Sequence, residues 1–174
     1  QIKDIEKLVN EFSNFARMPR PILKKVNIKD LIKRGLDFIQ ISSKNKINFT
    51  IKTKNLFILG DEDQLNRVFL NLIKNSEESF LEKFKKNPNF KGIIDIEISD
   101  NNDYIECRLT DNGPGITDPK KVMTPYFTTK KTGTGLGLPI VNKIINEHSG
   151  NFSIKNKGKA EGTLIKILLP KFNA

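Results

Sequence analysis

Apolar residues recur along this chain with two different periods, and each period predicts one type of element. Spacings of three and four residues predict amphipathic helices, whereas alternation of apolar and polar residues predicts strands with one buried face. Helices are predicted over 1–17, over 29–42, from Asp61 to a polar segment that begins at 83, and over 136–148. Strands are predicted at 47–52, 56–59, 94–98, 105–109, 152–155 and 163–169. Pro19 and Pro21 end the first helix, because proline lacks a backbone donor and its ring blocks the preceding turn.

Two polar segments are predicted to cap helices. Asn27 precedes the second helix, whose apolar residues are Ile28, Leu31, Ile32, Leu36, Phe38 and Ile39. Asp61 and Gln64 have the spacing of a capping box, in which each side chain satisfies a backbone amide at the helix start. The apolar face of the helix that follows is predicted to be Leu65, Phe69, Leu72, Ile73 and Phe80.

The third helix carries a polar stripe beside its apolar face. Asn71, Asn75 and Ser79 lie four residues apart and therefore share one side of the helix. An asparagine carbonyl oxygen is a suitable ligand for Mg²⁺, which prefers hard oxygen donors. The spacing alone favours the simpler interpretation, which is surface asparagines in an Asn-rich chain.

The segment 111–140 contains the densest group of glycines. Asp111, Gly113 and Gly115 lie in a turn after a predicted strand, and GTGLGL at 133–138 opens the last helix. Glycines let backbone N–H groups approach a ligand, and a helix N-terminus favours anions. The pattern therefore indicates a nucleotide site, with phosphates at the glycines and the base at Asp111. No Lys-Ser/Thr follows the glycines and no strand precedes GTGLGL, which disfavours a P-loop and a Rossmann fingerprint.

Composition narrows the possible classes of protein. The 174 residues are enough for one domain with a core, and no apolar run approaches the 18 or so residues of a membrane span. The net charge of +10 is compatible with nucleic acid or acidic lipid as partners. The lysines are dispersed among Asn and Ile, however, which is typical of a solvated surface, and no nucleic-acid partner is expected.

The chain has one cysteine and one histidine, which are too few for a zinc site. Cys107 lies in an alternating strand pattern and is interpreted as a buried structural thiol. His148 lies at the end of the last helix, where a partial positive charge is favourable. It is not predicted to be a phosphorylated residue.

Four motifs, in this order, resemble the ATP-binding catalytic domain of sensor histidine kinases. The segments NLIKNSEES (71–79), DNGPGI (111–116), PYFTTK (125–130) and GTGLGL (133–138) are similar to its N, G1, F and G2 boxes. That domain belongs to the GHKL group, which includes gyrase and MutL. The leading EFSNFARMPRP resembles the end of the second dimerisation helix of NtrY-type kinases, the nitrogen-regulation branch. The resemblance therefore implies two parts, which are that helix end with a proline hinge at 1–21 and the catalytic domain at 22–174.

The resemblance also implies roles for single residues. Asn75 would bind Mg²⁺, Asn71 would support the phosphate side, and Asp111 would accept a hydrogen bond from the adenine amino group. Residues 117–134 would form a mobile lid, from which Lys130 and Lys131 could reach the phosphates. The other implied ATP-binding residues are Gly113, Gly115 and Thr163 near the base, and Gly133, Thr134, Gly135, Leu136, Gly137 and Leu138 along the triphosphate.

One position departs from the hydrolytic members of that group. Those proteins have a glutamate four residues before the metal-binding asparagine, where it activates water as a general base, and this chain has Asn71 there. ATP is therefore expected to be bound but hydrolysed slowly. Glu77 and Glu78 follow closely in the sequence, but helical geometry is expected to turn both away from the asparagine stripe.

The implied fold is α+β, a two-layer α/β sandwich of the Bergerat type. Its mixed, mostly antiparallel sheet would have about five strands, with three main helices on one face. The implied function is transfer of the ATP γ-phosphoryl group to a histidine on a dimerisation domain that precedes residue 1, and onward to a response-regulator aspartate. ATP and Mg²⁺ are the expected cofactors.

The resemblance places this domain in the cytoplasm, as part of a membrane-anchored bacterial sensor. The full-length kinase is expected to be a homodimer, and the isolated domain is not expected to autophosphorylate. Two other classes remain as alternatives. One is an ATP-driven conformational clamp of the gyrase or MutL kind, and the other is a binding module that uses no nucleotide.

Overall fold

The computed structural model describes residues 5–6, 9–10, 12–13, 16–40, 43–130, 133–158 and 161–172. Helices α1 to α3 are Ile28–Gln40, Glu62–Lys86 and Gly137–Glu147, and a 3₁₀ turn covers Lys121–Met123. Strands β1 to β7 are Lys24–Asn27, Lys46–Ile51, Phe57–Gly60, Ile93–Asn101, Tyr104–Asp111, Asn151–Asn156 and Thr163–Pro170. The described residues between 5 and 16 are helical. No helix in the described part of the chain is long and apolar enough to cross a membrane.

Five strands form one mixed sheet in the order β2–β4–β5–β7–β6. β2 pairs with β4 in parallel, and the other three pairings are antiparallel. In β5 the side chains of Ile105, Cys107, Leu109 and Asp111 are all buried, and a period of two places them on one face of the sheet. The helices cover this face, so the structure confirms the predicted two-layer sandwich, and Asp111 ends β5 on its inner side.

A second, two-stranded sheet pairs β1 with β3 antiparallel, from Lys24 opposite Gly60 to Asn27 opposite Phe57. The sequence predicts a strand near β3 but none at β1. The four residues of β1 contain one buried side chain, that of Val26, which lies opposite Ile58. A single apolar residue has no period, so only the pairing with β3 reveals this strand.

Asp61 caps α2 as predicted, but the Gln64 side chain has a different partner from the one that a capping box would give it. Asp61 is the N-cap residue, and its carboxylate accepts a hydrogen bond from the Gln64 amide at 3.0 Å. The Gln64 side chain does not complete the box, because its Nε2 donates to the Pro19 carbonyl at 2.9 Å. The second Asp61 oxygen accepts from the Ile22 amide at 2.8 Å. The first turn of α2 therefore holds the proline segment against the domain.

The Asp61 amide, which a capping-box side chain would satisfy, donates instead to Nε2 of His148 at 2.9 Å. His148 is buried, and its Nδ1 lies 2.7 Å from the Ile144 carbonyl oxygen. That oxygen can only accept, so Nδ1 carries the proton and Nε2 accepts. His148 thus joins the end of α3 to the start of α2 through its two ring nitrogens.

One predicted helix boundary differs from the structure, and one apolar helix residue is exposed. α2 continues to Lys86, past the polar segment predicted to begin at 83. Phe38, one of the apolar residues of α1, is 72% exposed. The buried apolar side chains of that helix, Ile28, Leu31, Ile32 and Leu36, recur at the helical period. Phe38 lies two positions after Leu36 and so on the opposite side.

The outer face of the sheet holds one buried carboxylate. Glu106 is 5% exposed and pairs with Lys166 and Arg108, each at 2.7 Å, while Asn101 donates to it at 3.1 Å. Burial by itself raises the pKa of Glu106, but the hydrogen bonds from these three residues outweigh it and leave the pKa below its ordinary value. The carboxylate is therefore charged at neutral pH.

Cys107 confirms the prediction of a buried thiol, with 3% of its surface exposed. Burial raises its pKa, and the nearby charge of Glu106 adds to that effect. The thiol is accordingly protonated and shielded from reagents in the folded chain.

Candidate nucleotide-binding site

The buried end of the site is built around the carboxylate of Asp111, which is 4% exposed. Its Oδ1 accepts from the amides of Gly113, at 2.9 Å, and Thr163, at 3.2 Å. Its Oδ2 accepts from the Ser76 hydroxyl at 3.2 Å. A carboxylate offers about four acceptor positions, so these three donors leave one position on Oδ2. The site therefore presents an oriented acceptor to any ligand donor that reaches it.

Gly162 is needed for the hydrogen bond from the Thr163 amide to the Asp111 carboxylate, although it was not singled out in the sequence. Its φ is +120°, and a Cβ built there would lie 2.0 Å from the Asp111 carbonyl oxygen. Only glycine allows the turn before β7 to come this close to the end of β5. That approach is what brings the Thr163 amide to Asp111.

The loop after Asp111 is anchored on both sides. The Asn156 side chain of β6 accepts from the Ile116 amide at 2.7 Å and donates to the Ile116 carbonyl at 2.8 Å. Lys83 of α2 donates to the Asn112 carbonyl at 3.0 Å and also pairs with Glu161. These contacts fix the loop that carries the predicted residues Gly113 and Gly115, the latter with a φ of +83°.

The other end of the site lies where α3 begins beside α2. Leu136 is the N-cap residue of α3, and no side chain caps it. A Cβ built on Gly137 would lie 3.7 Å from Nδ2 of Asn75, so the helix start and the asparagine stripe face each other. Asn71 is half-buried one turn earlier on α2. The positive end of the α3 dipole thus lies next to Asn75 and favours an anion there.

The segment before α3 packs against the predicted lid. Gly135 has a φ of +70°, a Cβ there would lie 2.5 Å from the Tyr126 carbonyl carbon, and its own carbonyl accepts from the Tyr126 amide at 3.1 Å. Gly133 lies against Thr128 in the same way, and Thr134 connects the two glycines. The Leu136 side chain is buried and Leu138 packs on the core, which leaves only their backbone to meet a ligand. Residues 131 and 132 of the predicted lid, 117–134, lie outside the described residues.

Lys130 extends from this segment to α2. Its Nζ lies 2.7 Å from Oε2 of Glu78 and 3.5 Å from Oδ1 of Asn75. Glu77 instead accepts hydrogen bonds from Ser43 and Asn45, at 2.8 and 2.6 Å. The prediction that both glutamates point away from Asn75 is therefore wrong for Glu78. A residue three positions further along a helix lies beside the first one, not behind it.

Reading the sequence missed Ser76 and Gly162 as residues of the site, and it wrongly turned Glu78 away from the site. Ser76 and Glu78 flank the predicted stripe, and their partners lie 35 and 52 residues away. The spacing that identifies Asn71 and Asn75 contains no signal for such distant partners.

The profile of the family "Histidine kinase-, DNA gyrase B-, and HSP90-like ATPase" matches residues 60–173. The chain belongs to this ATPase family. An NtrY-like sensor histidine kinase of Rickettsia conorii is 34% identical over 167 residues, which are 94% of this chain and 27% of that protein. The chain therefore spans about a quarter of the length of this relative. This relative confirms the predicted resemblance to NtrY-type sensor histidine kinases.

Solved structures of relatives agree with the fold of this ATPase-family chain. The catalytic domain of the histidine kinase ThkA is 29% identical, with a TM-score of 0.69, and the match covers 86% of this chain and 95% of that domain. Full-length ShkA, solved in complex with AMPPNP, gives a TM-score of 0.76 at 21% identity and matches over 97% of this chain and 36% of that one. The fold is thus that of histidine kinase ATP-binding domains.

Proposed function

We propose that this chain is the ATP-binding catalytic domain of a sensor histidine kinase. It would deliver the γ-phosphoryl group of ATP to a histidine on a dimerisation domain, from which a response-regulator aspartate would receive it. The observation that carries the proposal is the buried Asp111 carboxylate, which retains one acceptor position between three fixed donors. The homology to sensor histidine kinases and the AMPPNP complex of ShkA support it.

Asp111 would recognise the base. The adenine amino group is a donor, and a carboxylate is an acceptor only, so the two are complementary. Ser76, Gly113 and the Thr163 amide would keep the carboxylate in place while the base binds. Gly115 would let the base lie close to the loop.

Asn75, Lys130 and the start of α3 would hold the phosphates. Asn71, Gly133, Thr134 and Gly135 would complete this side of the site, with the backbone amides of Leu136, Gly137 and Leu138 as donors. The donor set fits Mg²⁺, because Oδ1 of Asn75 is a hard oxygen donor that already lies 3.5 Å from one cation, the Lys130 ammonium. Mg²⁺ bound with the nucleotide would neutralise phosphate charge and fix the phosphate oxygens. The described residues contain no group of three His, Cys, Asp or Glu that would bind a metal by itself, so phosphate and water would supply the other ligands.

The chain's residues favour phosphoryl transfer over an ATP-driven clamp. Asn71 lacks a carboxylate with which to activate water. Glu78 pairs with the Lys130 ammonium at 2.7 Å, and it lies three residues after Asn75 rather than four before it, where the hydrolytic members of the group have their general base. The nucleophile would therefore come from the dimerisation domain, and the catalytic domain would mainly position the phosphates and neutralise their charge.

The division of the chain follows from the same proposal. Residues 1–21 would be the end of the second dimerisation helix and its proline hinge, and 22–174 would be the catalytic domain, with a lid at 117–134. The described residues between 5 and 16 are helical, and Ile5 and Val9 are each more than half exposed. Such an exposed apolar face suits a second copy of the helix in a homodimer. The parent kinase would be anchored in a bacterial membrane, with this domain in the cytoplasm.

Calorimetric titration with a non-hydrolysable ATP analogue, with and without Mg²⁺, tests the proposal. We expect saturable 1:1 binding that Mg²⁺ strengthens. Incubation with γ-labelled ATP should leave the chain alone unlabelled, and added dimerisation domain of the parent protein should acquire acid-labile, base-resistant phosphate. Absence of analogue binding would contradict the nucleotide site, while rapid steady release of phosphate by the chain alone would favour the clamp.

A further inference from the structure

An ion pair joins the described part of the lid to α2, beside the asparagine stripe. Nζ of Lys130 lies 2.7 Å from Oε2 of Glu78 and 3.5 Å from Oδ1 of Asn75. The two charged side chains are 35% and 37% exposed, so water screens their attraction only in part. Lys74 approaches the other Glu78 oxygen at 3.9 Å but is itself 67% exposed. Among the described residues of the lid, Lys130 is therefore the cation that contacts Glu78.

This pair conflicts with the proposed role of Asn75. The Asn75 oxygen that would bind Mg²⁺ is the same atom that the Lys130 ammonium approaches. Two cations a few ångströms apart repel each other, and the repulsion grows where water is partly excluded. The Lys130 ammonium and Mg²⁺ cannot both lie at Oδ1 of Asn75.

We propose that Glu78 is a positioning residue that holds Lys130, and with it the lid, against α2 until Mg²⁺ and nucleotide displace the ammonium from Asn75. The part in which Glu78 holds Lys130 rests on the ion pair alone. The part in which Mg²⁺ and nucleotide release Lys130 rests on the proposed function. Without nucleotide, the Glu78–Lys130 pair keeps residue 130 over Asn75. With Mg²⁺ and nucleotide bound, Lys130 leaves Glu78, and the phosphates become its partners.

The first arm of the test measures the lid without nucleotide. The amides of Tyr126 and Phe127 report on it, because they donate to the carbonyls of Gly135 and Thr124. Glu78→Gln should make these amides exchange with solvent about two- to fivefold faster, the range expected when a partly exposed ion pair is lost. Unchanged exchange in a folded variant would overturn the proposal.

Two further variants separate the ion pair from a general effect of substitution on α2. Lys74→Met removes the other cation near Glu78 and should leave the lid amides unchanged. Combining Glu78→Lys with Lys130→Glu restores opposite charges across the same gap and should restore slow exchange. If Lys74→Met speeds exchange as much as Glu78→Gln, or if the charge swap fails to restore protection, the pair does not hold the lid.

The second arm repeats the exchange measurement with saturating Mg²⁺ and the non-hydrolysable ATP analogue. The difference between wild type and Glu78→Gln should disappear, because Lys130 no longer contacts Glu78 in that state. A difference that persists would show that the pair survives nucleotide binding and would overturn the displacement. If the analogue does not bind at all, the proposed function fails and the displacement with it, while the exchange without nucleotide still decides whether Glu78 holds the lid.

Discussion

Replacement of Asp111 by Asn tests the base-recognition end of the site with little change in shape. The new Oδ1 can still accept from the amides of Gly113 and Thr163, which are 2.9 and 3.2 Å from Oδ1 in the wild type. The Ser76 hydroxyl can rotate and accept from the new amide nitrogen instead of donating. The internal contacts therefore survive, and the main change is at the ligand-facing position, where an acceptor becomes a donor.

The size of the effect follows from the hydrogen bond that is lost. A hydrogen bond to a charged group contributes about 1.5–3 kcal/mol, which corresponds to an affinity about 10- to 150-fold weaker. A guanine base presents an acceptor where adenine has its amino group. Asp111→Asn should therefore also reduce the preference for adenine over guanine nucleotides.

Calorimetric titration with non-hydrolysable ATP and GTP analogues, in the presence of Mg²⁺, measures both effects. Asp103→Asn is the matched control, because it makes the same change at an exposed residue at the opposite end of β5, and it should bind like the wild type. Thermal melting should show that both variants are folded. Equal ATP affinity in folded Asp111→Asn and Asp103→Asn would refute the assignment of Asp111 to the base.

Three further predictions concern stability and reactivity. Gly162→Ala should lower the free energy of unfolding by about 1–3 kcal/mol, because the new Cβ would lie 2.0 Å from the Asp111 carbonyl oxygen. Gly158→Ala is the control and should lower it less, because Gly158 has a φ of +61° and nothing within 4 Å of a Cβ. Denaturant titration measures both free energies. Glu106→Gln should lower stability by about 1–3 kcal/mol at neutral pH, since three donors lose a charged partner. The folded-state pKa of Glu106 is depressed, so its contribution to stability is present above the ordinary pKa of 4.5 and is lost as the pH falls through the lower folded value. The melting temperatures of wild type and variant should therefore converge in that acidic range. A difference in melting temperature that stays constant with pH would contradict the pKa argument. Cys107 should react with a thiol reagent only as fast as the chain unfolds, because burial both shields the thiol and raises its pKa; fast stoichiometric labelling of the native chain would show that the thiol is accessible.

Much of the candidate site was predictable because its signals are local. The four-residue spacing of Asn71 and Asn75 is a property of one helix, and the glycines of 111–116 and 133–138 lie in short segments of sequence. The cap at Asp61 was also predictable, since its partner, the Gln64 amide, is three residues away. These features depend on φ, ψ and helical period, which neighbouring residues determine.

The sequence by itself therefore determined the types and order of most elements, the α+β class and the identity of the four motifs. The tertiary structure alone decided the β1–β3 pairing, the parallel pairing of β2 with β4, the hydrogen bond from Ser76 to Asp111 and the ion pair from Glu78 to Lys130. Each of these joins residues that are tens of positions apart. Such contacts depend on strand register and helix packing, and the free energy that selects them comes from the whole core rather than from any local pattern.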